Sequence, residues 1–118
     1  MKTKIAVLVS GGGTNLQALL DAQQRRELVS GEIALVVSNN AKAYALERAQ
    51  KAGIPTKVLL KKELGGQEGF EQALCKTLDE AGIGLIVLAG FMSILTEHFT
   101  ARYPRRIINV HPSLIPSF

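Results

Sequence analysis

One cysteine in 118 residues, Cys75, excludes an intramolecular disulfide and fits a reducing cytoplasm. Its place beside the apolar stripe Phe70, Leu74 and Leu78 of an expected helix gives it a structural part. No apolar run approaches the ~20 residues that a membrane span needs. Met1-Lys2-Thr3-Lys4 leads straight into a strand-like run, without the apolar core and small-residue cleavage site of a signal peptide. The basic residues form no stripe: the net charge is +4, and Lys and Arg are scattered along the chain. Nucleic acid is therefore disfavoured as a partner, while a small anionic ligand is allowed. Internal repeats, low-complexity tracts and linkers are lacking too. These absences lead to an expectation of a cytoplasmic chain without membrane contact.

What is present is an ordinary globular composition, 47% apolar and 20% charged. The length suits one domain, residues 1–118, burying roughly two thirds of its unfolded surface. Short apolar runs alternate with helical periodicity. Strands are expected at Ile5–Val9, Ile33–Val37, Thr56–Leu60 and Leu85–Ala89, with a fifth in the run that follows Arg106. Helices are expected over about Thr14–Arg26, Ala43–Lys51 and Gln67–Glu80, with a short one around Ile94–Arg102. Continuous apolar strands alternating with helices predict an α/β fold, an open, mostly parallel sheet with helices on both faces.

In such a sheet, ligands bind beyond the carboxyl ends of the strands. Three polar or glycine-rich segments fall there: Ser10 to Asn15, Gly90 to Ser93 and Asn109 to Ser113. If the first, fourth and fifth strands are neighbours, the three line one crevice. In Ser10-Gly11-Gly12-Gly13-Thr14-Asn15, the glycines let the backbone approach an anion and free N–H groups at the helix start point at it. Leu16 stands where a dinucleotide fingerprint needs its third glycine, and Ser38-Asn39-Asn40 where it needs an acid. The Gly-Lys-Ser/Thr ending of a nucleoside-triphosphate loop is absent as well. A phosphomonoester suits the loop better than NAD or ATP, although a tight turn with an N-cap would use some of the same residues.

Gly90-Phe91-Met92-Ser93 can form a slot for a flat ring, or simply a loop that lines the core. His98, in a polar stretch, is most simply a surface residue. Asn109 and His111 are two residues apart, so strand geometry sends both side chains to one face. Pro112 favours extended backbone at His111 and continues that alternation. Asn suits a buried strand poorly, which suggests a purpose other than packing. By themselves the two also fit a strand end with a hydrogen-bonded Asn and a surface His.

Taken together, Ser10-Gly11-Gly12-Gly13-Thr14-Asn15-Leu16-Gln17, Leu88-Ala89-Gly90-Phe91-Met92-Ser93-Ile94-Leu95 and Ile108-Asn109-Val110-His111-Pro112-Ser113-Leu114-Ile115-Pro116 resemble the folate-dependent phosphoribosylglycinamide formyltransferases of purine synthesis. The likeness runs along the whole chain, in order and at the family's spacing. The related methionyl-tRNA formyltransferases share Asn-x-His and His-Pro-Ser but open without this glycine loop. The resemblance implies a Rossmann-like formyltransferase fold and transfer of a formyl group from 10-formyltetrahydrofolate to the amine of glycinamide ribonucleotide. By the same resemblance, Gly13, Thr14 and Asn15 hold the substrate phosphate. Met92, Ser93, Ile94 and Leu95 line the folate site with Asn109 and Gln67, and Asn109 and His111 are catalytic.

No metal is called for, and a homodimer is compatible with the likeness. The family often has an Arg where this chain has Gln67, with Lys61 and Lys62 nearby as substitutes beside the folate tail. The family also continues beyond His-Pro-Ser-Leu-x-Pro and supplies an Asp that orients the His. The chain ends at Phe118, so the expectation is an N-terminal part, truncated at its C-terminus. A formyltetrahydrofolate deformylase and a non-catalytic phosphate- or nucleotide-binding module are the alternatives.

Overall fold

The computed structural model describes residues 3–26 and 31–110. In chain order they form β1 (Thr3–Val9), α1 (Thr14–Gln24), β2 (Gly31–Ser38), α2 (Tyr44–Lys51), β3 (Thr56–Val58), α3 (Gln67–Glu80), β4 (Leu85–Ala89), α4 (Glu97–Thr100) and β5 (Ile107–Val110). The strands make one sheet in the order β3-β2-β1-β4-β5, and every neighbouring pair is parallel.

Two apolar layers sandwich this sheet, as strands buried on both faces require. On one side Ile5, Val7 and Val9 of β1 pack with Leu16 and Leu20 of α1 and Ala45 and Ala49 of α2. On the other, Ala6 and Leu8 pack with Phe70, Leu74 and Leu78 of α3 and Phe99 of α4. The alternation along β1 is thus the period-two pattern of a strand read from both faces. β2 breaks it once: Ile5 pairs with Ile33, but Ala6 pairs with Leu35, leaving Ala34 as an extra residue. This bulge puts Ile33 and Val36 in one layer and Leu35 and Val37 in the other.

The parallel α/β architecture is the one expected, while several boundaries move. β3 ends at Val58 instead of Leu60, although Leu59 is buried and still donates its N–H to the Ser38 carbonyl at 2.9 Å. α1 stops at Gln24, and the expected helix from Ile94 to Arg102 is reduced to Glu97–Thr100. Ile94 to Thr96 are held out of that helix by contacts from α3, described below. Among the described residues, no helix is long and apolar enough to cross a membrane.

Leu8 is fully buried in the central strand, whereas Ile108 on β5 is 49% exposed. Leu8→Ala should therefore lower unfolding free energy by about 3 kcal/mol, and Ile108→Ala by less than about 1 kcal/mol. Urea unfolding of both variants checks the ranking; equal losses would contradict this assignment of the core.

Candidate active site

The chain runs outward from β1 to β2 and β3, then returns to place β4 on the other side of β1. Connections diverge at this reversal, leaving a crevice at the carboxyl ends of β1 and β4 where ligands of such sheets bind. The glycine loop leaves β1 there, the Gly90–Leu95 loop leaves β4, and Asn109 lies on β5 beside Leu88. The neighbour relation on which the convergence depended is present.

Ser10 joins these segments. Its hydroxyl donates to Asn39 Oδ1 at 2.6 Å and accepts the Met92 N–H at 2.7 Å. Asn40 Nδ2 donates to the Ser10 carbonyl at 3.2 Å, and the Ser38 hydroxyl donates to the Asn40 carbonyl at 2.8 Å. The polar turn after β2 thus braces the start of the glycine loop. The Met92 N–H is thus hydrogen-bonded within the protein.

Gly13 caps α1 in the left-handed region, φ 81°, and no side-chain hydrogen bond closes the helix start. Thr14 is exposed and Asn15 half-buried beside this uncapped end. Open N–H groups and the positive end of the helix dipole suit an anion. Glycine at position 13 also answers a packing constraint from α2. A Cβ there would lie 2.6 Å from Ala45 Cβ and 2.8 Å from Ala45 Cα, whereas at Gly11 or Gly12 it would meet nothing within 4 Å.

α2 buttresses the loop further. Arg48 Nε donates to the Gly12 carbonyl at 2.6 Å, Arg48 Nη1 donates to Gln17 Oε1 at 3.2 Å, and the Ala45 N–H donates to the Gly11 carbonyl at 3.1 Å. The guanidinium also lies 4.9 Å from the centre of the Tyr44 ring, within cation–π range.

On the β4 side, Gly90 has φ 71° and turns the chain out of the sheet. Phe91 then turns inward, its ring 6.3 Å from that of Phe70. Met92 and Ile94 are 83% and 78% exposed, and Ser93 and Leu95 are partly buried. Of the expected folate-lining residues, two therefore present large apolar surfaces to solvent.

The segment is tied to α3 by Glu71. Its carboxylate accepts the Thr96 N–H at 2.7 Å, the Thr96 hydroxyl at 2.5 Å and Gln67 Nε2 at 2.7 Å, and Gln67 Nε2 also donates to the Ile94 carbonyl at 2.9 Å. Gln67 is thus part of the loop's anchorage. Lys61, the suggested substitute beside the tail, lies 5.8 Å from the centre of the Phe70 ring. Burial pushes the Glu71 carboxyl up, but the Thr96 hydroxyl and N–H, the Gln67 amide and the charge of His98 together hold it below its ordinary value of 4.5.

Asn109 is exposed and makes no side-chain hydrogen bond to another described residue. Its register partner Leu88 packs in the α3 layer, so Asn109 faces the same side as the Phe91 and Leu95 anchors. His111, the other expected catalytic residue, lies outside the described residues.

His98 is exposed, as expected, and Cys75 is a free thiol packed against the α3 layer. The described residues contain no group of three or more His, Cys, Asp or Glu able to hold a metal ion. A groove of about 670 Å³ between α1 and α2, lined by Gln17, Asp21, Tyr44 and Arg48, lies beside the glycine loop rather than in the crevice.

The formyl transferase family model matches residues 3–118. The chain belongs to this family. It is 46% identical over 115 residues to phosphoribosylglycinamide formyltransferase from Haemophilus influenzae, covering 98% of this chain and 54% of that protein. It is also 46% identical over 117 residues to the trifunctional purine biosynthetic protein adenosine-3 of Gallus gallus, covering 99% of this chain and 12% of the larger one. The phosphoribosylglycinamide formyltransferase structure from Coxiella burnetii superposes with a TM-score of 0.89 at 47% identity, over 100% of this chain and 55% of that one. The formyl transferase chain thus spans about half the length of the single-activity relatives it matches.

Arg48, Asn39, Asn40 and Glu71 were not singled out from sequence. Glu71 left a signal: with Leu74 and Leu78 it shares the buried stripe of α3, where a carboxylate is out of place. Arg48 and the asparagines left none, because their partners lie about 30 residues or more away along the chain.

Gly13→Ala should reduce unfolding free energy by at least about 2 kcal/mol, from left-handed strain plus the clash with Ala45. Gly12→Ala should change it by less than about 1 kcal/mol. Equal effects would place the constraint elsewhere. Acid titration tests Glu71. A carboxyl whose folded value is depressed contributes stability above its unfolded value and loses that contribution as pH falls through the folded one. The stability difference between the unsubstituted protein and Glu71→Gln should be constant above about pH 4.5 and shrink below it. A difference that grows on acidification would contradict the depressed value.

Proposed function

We propose that the whole protein transfers the formyl group of 10-formyltetrahydrofolate to the amine of glycinamide ribonucleotide. The observation that carries this reading is the convergence, at the carboxyl ends of β1, β4 and β5, of an uncapped glycine loop, an exposed apolar loop and Asn109. Each supplies something the reaction needs. Gly13, Thr14 and Asn15 receive the phosphate through backbone N–H groups and two polar side chains. Met92, Ser93, Ile94 and Leu95 offer the pterin an apolar wall, with Gln67 behind them as an anchor.

In the transfer, a bond from the formyl carbon to the substrate amine forms and the bond to the folate nitrogen breaks. A tetrahedral adduct with negative charge on oxygen lies between. Asn109 donates a hydrogen bond to that oxygen, where a preorganised donor stabilises charge as it develops. His111 is assigned the second donation and transfer of the amine's proton to the leaving folate nitrogen. No step calls for a metal.

The same reading takes residues 1–118 as one domain of a cytoplasmic enzyme whose partners are small molecules, and a homodimer is compatible with it. A deformylase would have no phosphate to hold at Gly13–Asn15. A non-catalytic binding module would have no use for an exposed amide at Asn109.

Asn109→Ala and His111→Ala, made in the protein at its full natural length, should each lower kcat by at least ~100-fold with smaller changes in KM. The double variant should lose less than the product of the two, because groups that act on one oxygen are not independent. Steady-state kinetics with both substrates checks this; near-normal turnover in either single variant would sink the assignment.

A further inference from the structure

Glu71 is the only charged residue buried among the described residues, and it sits at the edge of the stripe formed by Phe70, Leu74 and Leu78, along the groove between α3 and α4. A buried carboxylate is unfavourable unless hydrogen bonds replace its lost water, and for packing alone a leucine would serve as well. The replacement bonds run to Gln67 one turn earlier and to Thr96 at the far end of the β4 loop. Through Gln67 Nε2 the grip extends to the Ile94 carbonyl. Backbone or side-chain groups on both sides of Leu95 are therefore held, from Ile94 to Thr96.

This grip accounts for two features at once. The segment does not extend the helix that starts at Glu97, and Ile94 stays 78% exposed, while Met92 at the other end of the loop, 83% exposed, is held by the Ser10 hydroxyl. Exposed apolar side chains on an anchored loop form a surface ready for a ligand, which avoids ordering the loop at the moment of binding.

We propose that Glu71 is a positioning residue for the folate site, acting through Thr96 and Gln67 to hold the Met92–Leu95 segment in its binding conformation. The proposal rests on the folate reading above. Glu71 lines the groove between α3 and α4 and bonds Gln67 and Thr96 but no residue of the glycine loop, so its effect should fall on the folate and spare the phosphate-bearing substrate.

The test uses the protein at its full natural length. Thr96→Val keeps the side chain's shape and removes the hydroxyl, while Glu71→Gln keeps the size and removes the charge. Both should weaken tetrahydrofolate binding, measured by calorimetry, by about tenfold or more, the scale of losing a hydrogen bond to a charged group. Inorganic phosphate binding should change by less than about twofold. Thr96→Ser, which restores the hydroxyl, should recover tetrahydrofolate affinity, and amide exchange at Met92 to Thr96 should accelerate in Thr96→Val alone of the two Thr96 variants. If Glu71→Gln does not fold, Thr96→Val with its serine rescue carries the test.

Unchanged tetrahydrofolate affinity in the variants, or equal losses for tetrahydrofolate and phosphate, would overturn the proposal and leave Glu71 a purely structural residue. Failure of the unsubstituted protein to bind tetrahydrofolate would overturn the folate reading, and this proposal with it.

Discussion

Parallel pairing is the constraint on which the rest depends. Five strands that all run one way must deliver every strand-to-helix connection at the same edge of the sheet. The reversal of strand order at β1 then separates the connections that leave β1 and β4 and opens space between them. No loop sequence could have produced that space alone. The polar residues are there because the topology sends them there, and Ser10, Asn39 and the Met92 backbone occupy the exits of adjacent strands.

The two sides of the crevice are supported in different ways. On the β1 side the support is mainly steric and backbone-directed: Ala45 closes against Gly13, and Arg48 reaches the Gly12 carbonyl. On the β4 side it is a set of charge-assisted hydrogen bonds, with one carboxylate gathering Thr96 and Gln67. Ser10 is the hydrogen-bonding residue common to both, since its hydroxyl touches the turn after β2 and the loop after β4. The exits of the three strands β1, β2 and β4 are thereby joined through one small, buried hydroxyl.

Legibility in the sequence followed the range of the interaction. The strands of β1, β2 and β4 and the helices α1, α2 and α3 could be read because burial repeats at short, fixed intervals. The Ala34 bulge could not, since an extra residue in a continuous apolar run changes no local pattern. The short α4 was misjudged for a related reason. Ile94 and Leu95 favour a helix locally, but a carboxylate 25 residues away in sequence bonds Thr96 in another geometry. In the candidate site, the glycine loop and the β4 loop were legible as segments, and their meeting depended on strand order. The packing constraint on glycine at position 13 was not legible, because the atoms that exclude a side chain belong to α2.

The closeness of Gly13 to Ala45 makes the packing reciprocal. Position 45 has no room to grow toward the loop, so the helix surface there acts as a mould for the backbone that curves over it. A bulkier residue at 45 would press the peptide between Gly12 and Gly13 toward the crevice, although that residue would never touch a bound molecule. Variation on α2 thus tunes the curvature of the glycine loop from behind, making this helix part of what determines the loop's shape.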